Sequence, residues 1–348
     1  MKLPLPLDYP PMEASVAHSV PEGEGWQYEP KWDGFRCLAY RDGSELELMS
    51  KASQPLLRYF PEVAGALSEL RANQFVLDGE LVILAEGRSD FDALLQRIHP
   101  AESRVRKLAT TTPATFFLFD LLVNDRGEDL TGLPLRQRRR ALEEFAARYV
   151  SKSNRLVLSP VTRDYARAQD WLSGSGGSID GIVAKRVEDP YGSGTRDSMV
   201  KIKTLRTADC VVGGFRYGAK GHQVGSLLLG LYDDEGLLNH VGFTSSMPSK
   251  DRPAITKKLE QAIAPPGFTG AAPGDPSRWS KGRNTEWEPL RPKYVVEVQY
   301  DHFSGKRFRH GTKLLRWRPD KKPSDCKLKQ VQHESASLDE LLKQARRS

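Results

Sequence analysis

The stretch 29–36, which reads Glu-Pro-Lys-Trp-Asp-Gly-Phe-Arg, contains a lysine whose neighbours suit covalent chemistry on a phosphate. Lys31 opens the pattern Lys-x-Asp-Gly-x-Arg, which Asp33 and Arg36 complete. An ordinary lysine has a pKa of about 10.4 and is a poor nucleophile at neutral pH. Partial burial beside aromatic residues and other cations would make its amine more reactive. The six residues alone are equally typical of a solvated lysine beside an Asp-Gly turn.

Further blocks of charged and apolar residues follow this motif in a fixed order. They occupy residues 50–51, 77–82, 116–122, 180–185, 201–203 and 316–321. With the first block, this series resembles the ATP-dependent DNA ligases, a family of covalent nucleotidyltransferases, over residues 10–327. The strings at 206–212 and 225–232 resemble the small stand-alone bacterial ligases of the C type. Seven blocks in one order favour this family well above a chance match.

The resemblance implies a three-step reaction that seals a nick in DNA. Lys31 takes AMP from ATP, AMP passes to the 5′-phosphate of the nick, and the 3′-hydroxyl then displaces AMP. Asp33 would support the geometry of the site, and Arg36 would reach the ribose or the nick. Glu29 would accept a hydrogen bond from the amino group of adenine.

Most of the remaining blocks are assigned by the resemblance to nucleotide binding, because phosphoryl-type transfer depends on positioning and charge neutralisation. Phe119 and Val183 would cover the two faces of adenine. Lys51 and Arg196 would meet phosphate groups, although the family more often has arginine where Lys51 stands, and lysine lacks the bidentate fork. The cations that would surround the α-phosphate are Lys185, Lys201 and Lys203.

Two carboxylates, Glu80 and Asp180, are the candidate ligands of ribose and of Mg²⁺ or Mn²⁺. Hard cations take oxygen ligands, and Mg²⁺ typically keeps several waters. The family usually has glutamate where Asp180 stands, so this shorter side chain would reach a metal through water. Arg318 and Lys321, with Asp320 between them, would orient the β- and γ-phosphates of ATP as the leaving group.

Composition narrows the class of protein further. The net charge of +7 is concentrated at residues 301–328, where nine Lys or Arg face three Asp and aromatic residues are interspersed. Such a strip suits a DNA backbone, although a solvated hairpin face has the same composition.

No apolar run approaches the length of a membrane span, and the proline-broken N-terminus is unlike a signal peptide. Three scattered cysteines favour a reducing cytoplasm. We expect a monomer in the bacterial cytoplasm, associated with the nucleoid and acting on nicked duplex DNA in repair.

An α+β architecture is predicted to position these residues. Residues 1–204 would form an N-terminal nucleotidyltransferase (adenylation) domain of mainly antiparallel sheets with helices. Residues 205–348 would form an OB-fold β-barrel with a C-terminal tail, because short strands there alternate with glycine-rich turns around one helix at 250–263. The junction at 204–206 would act as a hinge.

Hairpins and helices can be predicted more locally. Strands at 37–40 and 46–49 flank one Asp-Gly turn, and strands at 75–77 and 81–84 flank a second, which would place Glu80 at a hairpin end. Residues 115–122 read as a strand buried on both faces. The predicted helices of this half cover 56–70, 91–97, 136–149 and 164–172. The arginine run 136–140 is a weaker candidate for phosphate contact and is equally typical of an exposed helical face. Residues 264–283 read as a long surface loop, and the tail from 335 as a packing helix.

Other functions remain open from the residues. An mRNA-capping guanylyltransferase shares the lysine motif but would form Lys-GMP, and an RNA ligase is a similar minority interpretation. An NAD-dependent ligase is disfavoured because there is no cysteine-rich zinc module and Arg36 stands where alanine is expected. A nucleic-acid-binding OB protein with an inactive first half is a further alternative from outside the enzymes. The pathway and any repair partners are not identified by the sequence.

Overall fold

The computed structural model describes residues 1–85, 88–174, 179–218, 222–274 and 286–332. The chain divides into two compact units, one ending at Thr204 and one beginning at Leu205. No helix in these described ranges is both long and apolar enough to cross a lipid bilayer.

The first unit is a mixture of strands and helices. Its strands are β1 Ser15–Val16, β2 Trp26–Pro30, β3 Phe35–Asp42, β4 Glu45–Ser50, β5 Gln74–Ala85, β6 Arg88–Ser89, β7 Ala114–Val123, β8 Leu156–Leu158, β9 Gly181–Arg186 and β10 Met199–Lys203. Its helices are α1 Pro61–Ser68, α2 Phe91–Gln96, α3 Glu102–Thr111, α4 Leu135–Phe145 and α5 Tyr165–Gly174. A turn of π-helix, Ala146–Val150, continues α4.

Two mainly antiparallel sheets carry these strands. The first sheet has the order β1-β10-β9-β2, and the second has the order β4-β3-β5-β7-β8, with β6 paired to β5. Only β1 with β10 and β7 with β8 run parallel among the described pairs. The predicted α+β class and the mainly antiparallel character of this half are therefore confirmed.

Hydrophobic burial explains the central position of β7. Every residue of this strand is buried, as the continuous apolar run at 115–122 predicts. Phe116 and Leu118 belong to a core on one face, which contains α1, α4 and much of β5. Phe117 and Leu122 belong to the cores on the other face. The strand therefore separates two packed layers, which is why it has no polar face.

The second predicted hairpin is wrong. Residues 74–85 form one continuous strand, so Glu80 lies in its middle and not at a turn. Asp78-Gly79 marks an irregularity in the pairing of β5 with β7. A Cβ on Gly79 would lie 2.5 Å from the Phe116 ring and closer still to the Phe117 carbonyl oxygen. Glycine is thus required here by the close approach of β7 and not by a turn.

Helix predictions succeed in location more than in extent. The helix predicted over 56–70 is a 3₁₀ turn, Leu57–Tyr59, followed by α1, because Pro61 starts a new helix more easily than it continues one. The helices at 91–97, 136–149 and 164–172 are confirmed within a few residues as α2, α4 with its π turn, and α5. α3 was not predicted.

The exposed arginine face predicted at 136–140 is wrong for two members of the run. Arg138 is fully buried and donates two hydrogen bonds to Asp120, at 2.9 and 3.0 Å. Arg139 is also buried, and it donates to the backbone oxygen of Ser159. α4 therefore holds β7 and the segment after β8 through charged groups as well as through its apolar residues.

The second unit is dominated by one sheet. Its elements are β11 Arg206–Tyr217, β12 Val224–Tyr232, β13 Leu238–Thr244, α6 Arg252–Glu260, β14 Glu288–Pro289, β15 Val295–Tyr300, β16 Phe303–Ser304, β17 Arg307–Phe308 and β18 Lys313–Trp317. The sheet has the order β13-β12-β11-β15-β18, with β14 paired to β11. Its two end strands meet, within the described residues, at one isolated bridge between Thr244 and Thr312.

The short strands predicted for residues 205–348 are present, but strand pairing does not form the closed barrel that the sequence predicted. Phe308 of the basic strip belongs to the buried core of this unit, and Phe303 packs against it. These aromatic residues therefore serve packing first. Part of the predicted loop at 264–283 and the tail from 335 lie outside the described residues.

Candidate active site

One face of the first sheet collects most of the charged residues predicted from the sequence. Glu29 of β2 lies directly opposite Val183 of β9, which lies opposite Lys201 of β10. Because side chains alternate along a strand and directly paired residues share a face, these three point the same way. Their neighbours Tyr28 and Ile182 point to the other face, where they are buried in a core. The alternation of side chains along each strand therefore places the candidate site residues on one face of the sheet and the core residues on the other.

The second sheet supplies the facing wall of a cavity of about 230 Å³. Arg36 of β3 lies opposite Glu80 of β5, and Phe119 comes from β7. The predicted residues that line this cavity are Glu29, Lys31, Arg36, Lys51, Glu80, Phe119, Val183, Lys185 and Lys201. Nine side chains from six of the seven blocks are therefore brought together around one space.

Four predicted residues of this unit lie outside the cavity lining. Asp180 binds Lys31 of the lining and also contacts Lys203. Asp33 is buried, and Arg196 is exposed and binds Glu13 of the lining. Residues 11–14 line the cavity but gave no signal in the sequence. A proline-rich N-terminal segment has no periodic or charged pattern from which this position could be predicted.

Lys31 is held on both sides by backbone and side-chain contacts. Its backbone NH donates to the oxygen of Gly181 at 2.9 Å, and its own oxygen accepts from the NH of Asp180 at 2.8 Å. Its Nζ lies 2.6 Å from Asp180 Oδ2, and Lys203 Nζ lies 3.6 Å from the same oxygen. The Trp32 ring stacks on Phe117 at 3.9 Å between centroids, which fixes the next residue of the chain. The nucleophile candidate is therefore rigidly placed.

A buried ion pair stands beside Lys31. Lys185 Nζ lies 2.8 Å from Glu29 Oε2, and both side chains are only 3% exposed. The other oxygen of Glu29 accepts from Gln27 at 2.9 Å, and Lys185 also lies 4.7 Å from the centre of the Phe119 ring. The sequence predicts that Glu29 binds adenine and that Lys185 binds the α-phosphate. It does not predict that the two side chains bind each other. They are adjacent because Gln27 and Lys185 are paired across β2 and β9.

Arg36 is fixed by a carboxylate that sequence reasoning missed. Its guanidinium makes two hydrogen bonds of 2.6 Å to Asp78, which is completely buried, and its Cζ lies 4.5 Å from the centre of the Phe119 ring. Burial works against the charged form, but the Asp78 carboxylate outweighs it and raises the pKa of Arg36. Asp78 looked like a turn residue because it precedes Gly79. Its position two residues before Glu80, on the same face of β5, was the available signal.

Glu80 has unusual electrostatics for a carboxyl group. Burial raises its pKa to about 7, although the charges of Arg36 and Lys31 oppose the rise. Its side chain makes no hydrogen bond or ion pair with the described residues, and it lines the cavity. Burial also lowers the pKa of Lys201, and the charges of Lys31 and Lys203 add to this effect. A net positive, partly desolvated cavity of this kind suits an anionic ligand.

The rim of the cavity carries two exposed cations that share one acid. Lys51 Nζ lies 3.0 Å from Glu13, and Arg196 lies 2.8 Å from it. Hydrogen bonds from these two cations lower the pKa of Glu13. Exposed pairs of this type exchange readily for other anions, so both cations remain available to a phosphate.

In the second unit, the predicted phosphate-orienting residues form their own network. Arg318 donates to Asp320 and, at 2.9 Å, to Asp209, and Lys321 Nζ lies 3.4 Å from Asp209. The hydrogen bond from Arg318 lowers the pKa of Asp320 to about 2. Asp209, at the start of β11, was not predicted because it is 109 residues from Arg318 in the sequence.

The carboxylate oxygens of the first unit suit a hard cation that takes only one or two ligands from the protein. No group of three or more His, Cys, Asp or Glu side chains occurs within the described residues that would form a full metal cage. Mg²⁺ is usually held by one or two carboxylates together with water and substrate phosphates. Glu80 in the cavity and Asp180 beside Lys31 meet that requirement.

Comparisons with known proteins agree with this geometry. Residues 11–203 match the ATP dependent DNA ligase domain, and residues 220–321 match the ATP dependent DNA ligase C terminal region. DNA ligase C2 of Mycolicibacterium smegmatis is 43% identical, covering 95% of this chain and 96% of its own. The multifunctional non-homologous end joining DNA repair protein LigD of Mycobacterium tuberculosis is 30% identical, covering 86% of this chain and 37% of its own. A solved structure of a Lig E DNA ligase has a TM-score of 0.53 at 17% identity, covering 89% of this chain and 99% of that one, which shows a shared fold.

These matches cover two regions and nearly the whole chain. They define an ATP-dependent DNA ligase. The chain belongs to the ATP-dependent DNA ligase family, as its seven ordered blocks predicted.

Proposed function

We propose that this ligase seals 5′-phosphate/3′-hydroxyl nicks in duplex DNA through AMP bound covalently to Lys31. The observation that carries the proposal is the position of Lys31 in a positively charged cavity that also contains an aromatic ring. The relative DNA ligase C2 supports the substrate class. Charged groups fixed in advance around a reacting phosphate are the main means by which proteins accelerate such transfers.

The first step joins Lys31 to AMP. The neutral amine attacks the α-phosphorus, a P–N bond forms, the P–O bond to the β-phosphate breaks, and pyrophosphate leaves. Asp180 Oδ2, 2.6 Å from Nζ, is the acceptor nearest to the proton that the amine loses. Lys185 and Lys201, which line the cavity, and Lys203, 3.6 Å from Asp180, would offset the charge of the α-phosphate. Phe119 and Val183, which also line the cavity, would cover the two faces of adenine.

The second and third steps transfer AMP to DNA. An oxygen of the 5′-phosphate replaces the Lys31 nitrogen on AMP, and the 3′-hydroxyl then forms the phosphodiester while AMP leaves. Arg36 reaches the ribose or the nick from the cavity wall, and Lys51 and Arg196 offer phosphate contacts at the rim. Glu80 and Asp180 would hold Mg²⁺ or Mn²⁺, which supplies neutralisation of phosphate charge when bound.

The second unit is proposed to be an OB-fold domain, and the first unit, residues 1–204, an adenylation domain. Arg318, Asp320 and Lys321 would orient the departing pyrophosphate in the first step, and the basic strip at 301–328 would contact the DNA backbone. We place the enzyme in DNA repair, as a monomer in the bacterial cytoplasm, because a repair ligase is among its relatives. Any protein partners belong to that pathway.

A sealing assay tests the proposal. A nicked duplex with a labelled 5′-phosphate is incubated with Mg²⁺ and either ATP, GTP or NAD, and in parallel with ATP and a chelator. We expect sealing with ATP and Mg²⁺ alone, none by Lys31→Ala, and full sealing by the control Lys107→Ala, which removes an exposed lysine of α3. In a separate incubation of the protein with GTP labelled at the α-phosphate, label transfer to the protein would favour a capping enzyme. Absence of any sealing in the main assay would favour a binding protein.

A further inference from the structure

Tyr191 connects two walls of the cavity although it belongs to none of the seven blocks. It lies between β9 and β10, and its side chain is buried in a core with residues of β3 and β5. Its hydroxyl donates to Asp78 Oδ2 at 2.6 Å and accepts from the backbone NH of Met12 at 3.0 Å. Met12 lines the cavity on one side. Asp78 holds Arg36 on the other.

The hydroxyl is placed to set the position of Arg36. Asp78 Oδ2 accepts from both Tyr191 and Arg36 Nη2, each at 2.6 Å, and Asp78 is completely buried. Charge-assisted bonds of this length are strong and directional, particularly away from water. Burial raises the pKa of Tyr191 well above its usual range, so the hydroxyl keeps its proton and acts as a donor. Without that donor, the Asp78 carboxylate would be held by Arg36 alone, and the position of the pair would be less sharply defined.

The ring of Tyr191 is fixed independently of its hydroxyl. It stacks against Tyr9 with centroids 6.2 Å apart, and Arg138 Cζ lies 5.5 Å from its centre. Removal of the hydroxyl alone should therefore leave the ring in place. The chain offers a matched comparison in Tyr40, which is buried in the same core and whose hydroxyl has no hydrogen-bond partner within the described residues.

We propose that Tyr191 is a positioning residue that holds Arg36, through Asp78, in the orientation required for transfer of AMP. This inference rests on the proposed function, because it assigns Tyr191 to the same site. Tyr191 lies outside the motifs and contacts Arg36 only through Asp78. Through Met12, it also connects the N-terminal segment to the cavity wall.

The test uses the full chain with Tyr191→Phe, Arg36→Lys, the double variant, and Tyr40→Phe as the matched control. Label transfer from ATP and sealing of a pre-adenylated nick are measured as single-turnover rates. We expect Tyr191→Phe to slow by about tenfold the step that Arg36→Lys also slows, because a buried charge-assisted bond is lost. In the Arg36→Lys background the same change should alter that rate by less than about twofold, because coupled residues are not additive. Tyr40→Phe should match the unchanged chain.

Three results would reject this role for Tyr191. They are an unchanged rate in Tyr191→Phe, an equal loss in both backgrounds, and failure of Tyr191→Phe to fold, which would make the hydroxyl a structural element of the core. Asp78→Asn, which keeps an acceptor for Tyr191 but cannot bind Arg36 through two charged oxygens, provides a second variant and should slow the same step. Failure of the proposed function is distinguished from all of these, because the unchanged chain would then neither accept label from ATP nor seal a nick.

Discussion

Asp180 is the residue on which the geometry around the nucleophile depends. Its carboxylate lies 2.6 Å from Lys31 and 3.6 Å from Lys203, and its backbone NH donates to Lys31. Gly181 follows at φ +140°, and a Cβ there would overlap the backbone of Ile202, so the chain can make this turn only with glycine. The acid that the sequence assigned to ribose and metal contact is thus the one that holds the lysine directly.

Asp180→Asn should slow transfer of AMP from ATP by about tenfold, because the side chain keeps its shape but loses the charge that holds Lys31. The check is the single-turnover rate of label transfer, with Asp197→Asn, an exposed aspartate 17 positions along the chain, as the control. A rate in Asp180→Asn equal to that of the control would show that Asp180 does not position the nucleophile.

Individual site residues could be predicted where a motif marks them, and not where contact arises only on folding. Lys31, Phe119 and Val183 were placed in one site by sequence order, and all three line the cavity. Asp78 and Tyr191 are joined by a hydrogen bond across 113 positions, and no local pattern marks either as a partner of the other. A side-chain hydrogen bond between distant positions depends on how the two sheets pack against each other. The local sequence around either residue does not contain that information.

At the scale of elements, β5 shows why a local rule failed. Asp-Gly between apolar residues is a strong turn signal, yet here β7 and β3 both pair with the strand across this point. Hydrogen bonds on both sides and the burial of Leu77 and Leu81 outweigh the turn preference. Elements defined by their own composition, such as β7 and α4, were predicted because nothing opposed their local pattern.

Gly79→Ala should destabilise the protein by about 3 kcal/mol, because the added Cβ would overlap β7 and the core is closely packed. Urea unfolding measures this change. Gly65→Ala is the control, since Gly65 is exposed in α1 with open space around it and alanine there should stabilise by up to about 1 kcal/mol. If both variants shift the midpoint upwards, β5 is not packed as described.

At the scale of the whole molecule, each of the two units has its own hydrophobic core. We therefore expect variants in one unit to affect stability or reaction steps that variants in the other do not. The described chain divides into these units between Thr204 and Leu205. The closed barrel could not be predicted correctly, because closure depends on how the two ends of the sheet meet. In the described part of the chain they meet at one isolated bridge, between Thr244 of β13 and Thr312, the residue before β18. Strand number and location follow from local composition, whereas sheet closure does not.

Acid should weaken the second unit through His240. This residue is buried, and burial lowers its pKa from 6.5 to about 4, with the charges of Arg307 and Arg216 adding to the effect. The unfolded chain therefore takes up a proton between pH 6.5 and 4 that the folded chain does not, so stability falls as the pH falls through that window.

The loss should amount to about 3 kcal/mol at the lower end of the window. His240→Leu should remove that part of the pH dependence, as measured by thermal unfolding at pH 7 and pH 4.5. An unchanged pH dependence in the variant would assign the acid sensitivity to other groups.

The two units should also differ in the steps that they serve. Arg318→Ala combined with Lys321→Ala should slow transfer of AMP from ATP by at least about tenfold, because the β- and γ-phosphates lose their partners. Sealing of a pre-adenylated nick needs no pyrophosphate departure and should change much less. The pair Lys250→Ala and Lys257→Ala, which removes equal charge at exposed positions of the second unit outside the basic strip, is the control. Equal loss of both steps in the first pair would contradict the division of labour.

The most direct test of the account is to locate AMP on the protein. The full chain is incubated with Mg²⁺ and ATP labelled at the α-phosphate, digested, and its labelled peptide is identified by mass spectrometry. We expect a single AMP-bearing peptide with the modification on Lys31, and we expect AMP to leave Lys31 when pyrophosphate is added back. AMP on Lys185 or another lysine, or a Lys31→Ala variant that still takes label, would contradict it.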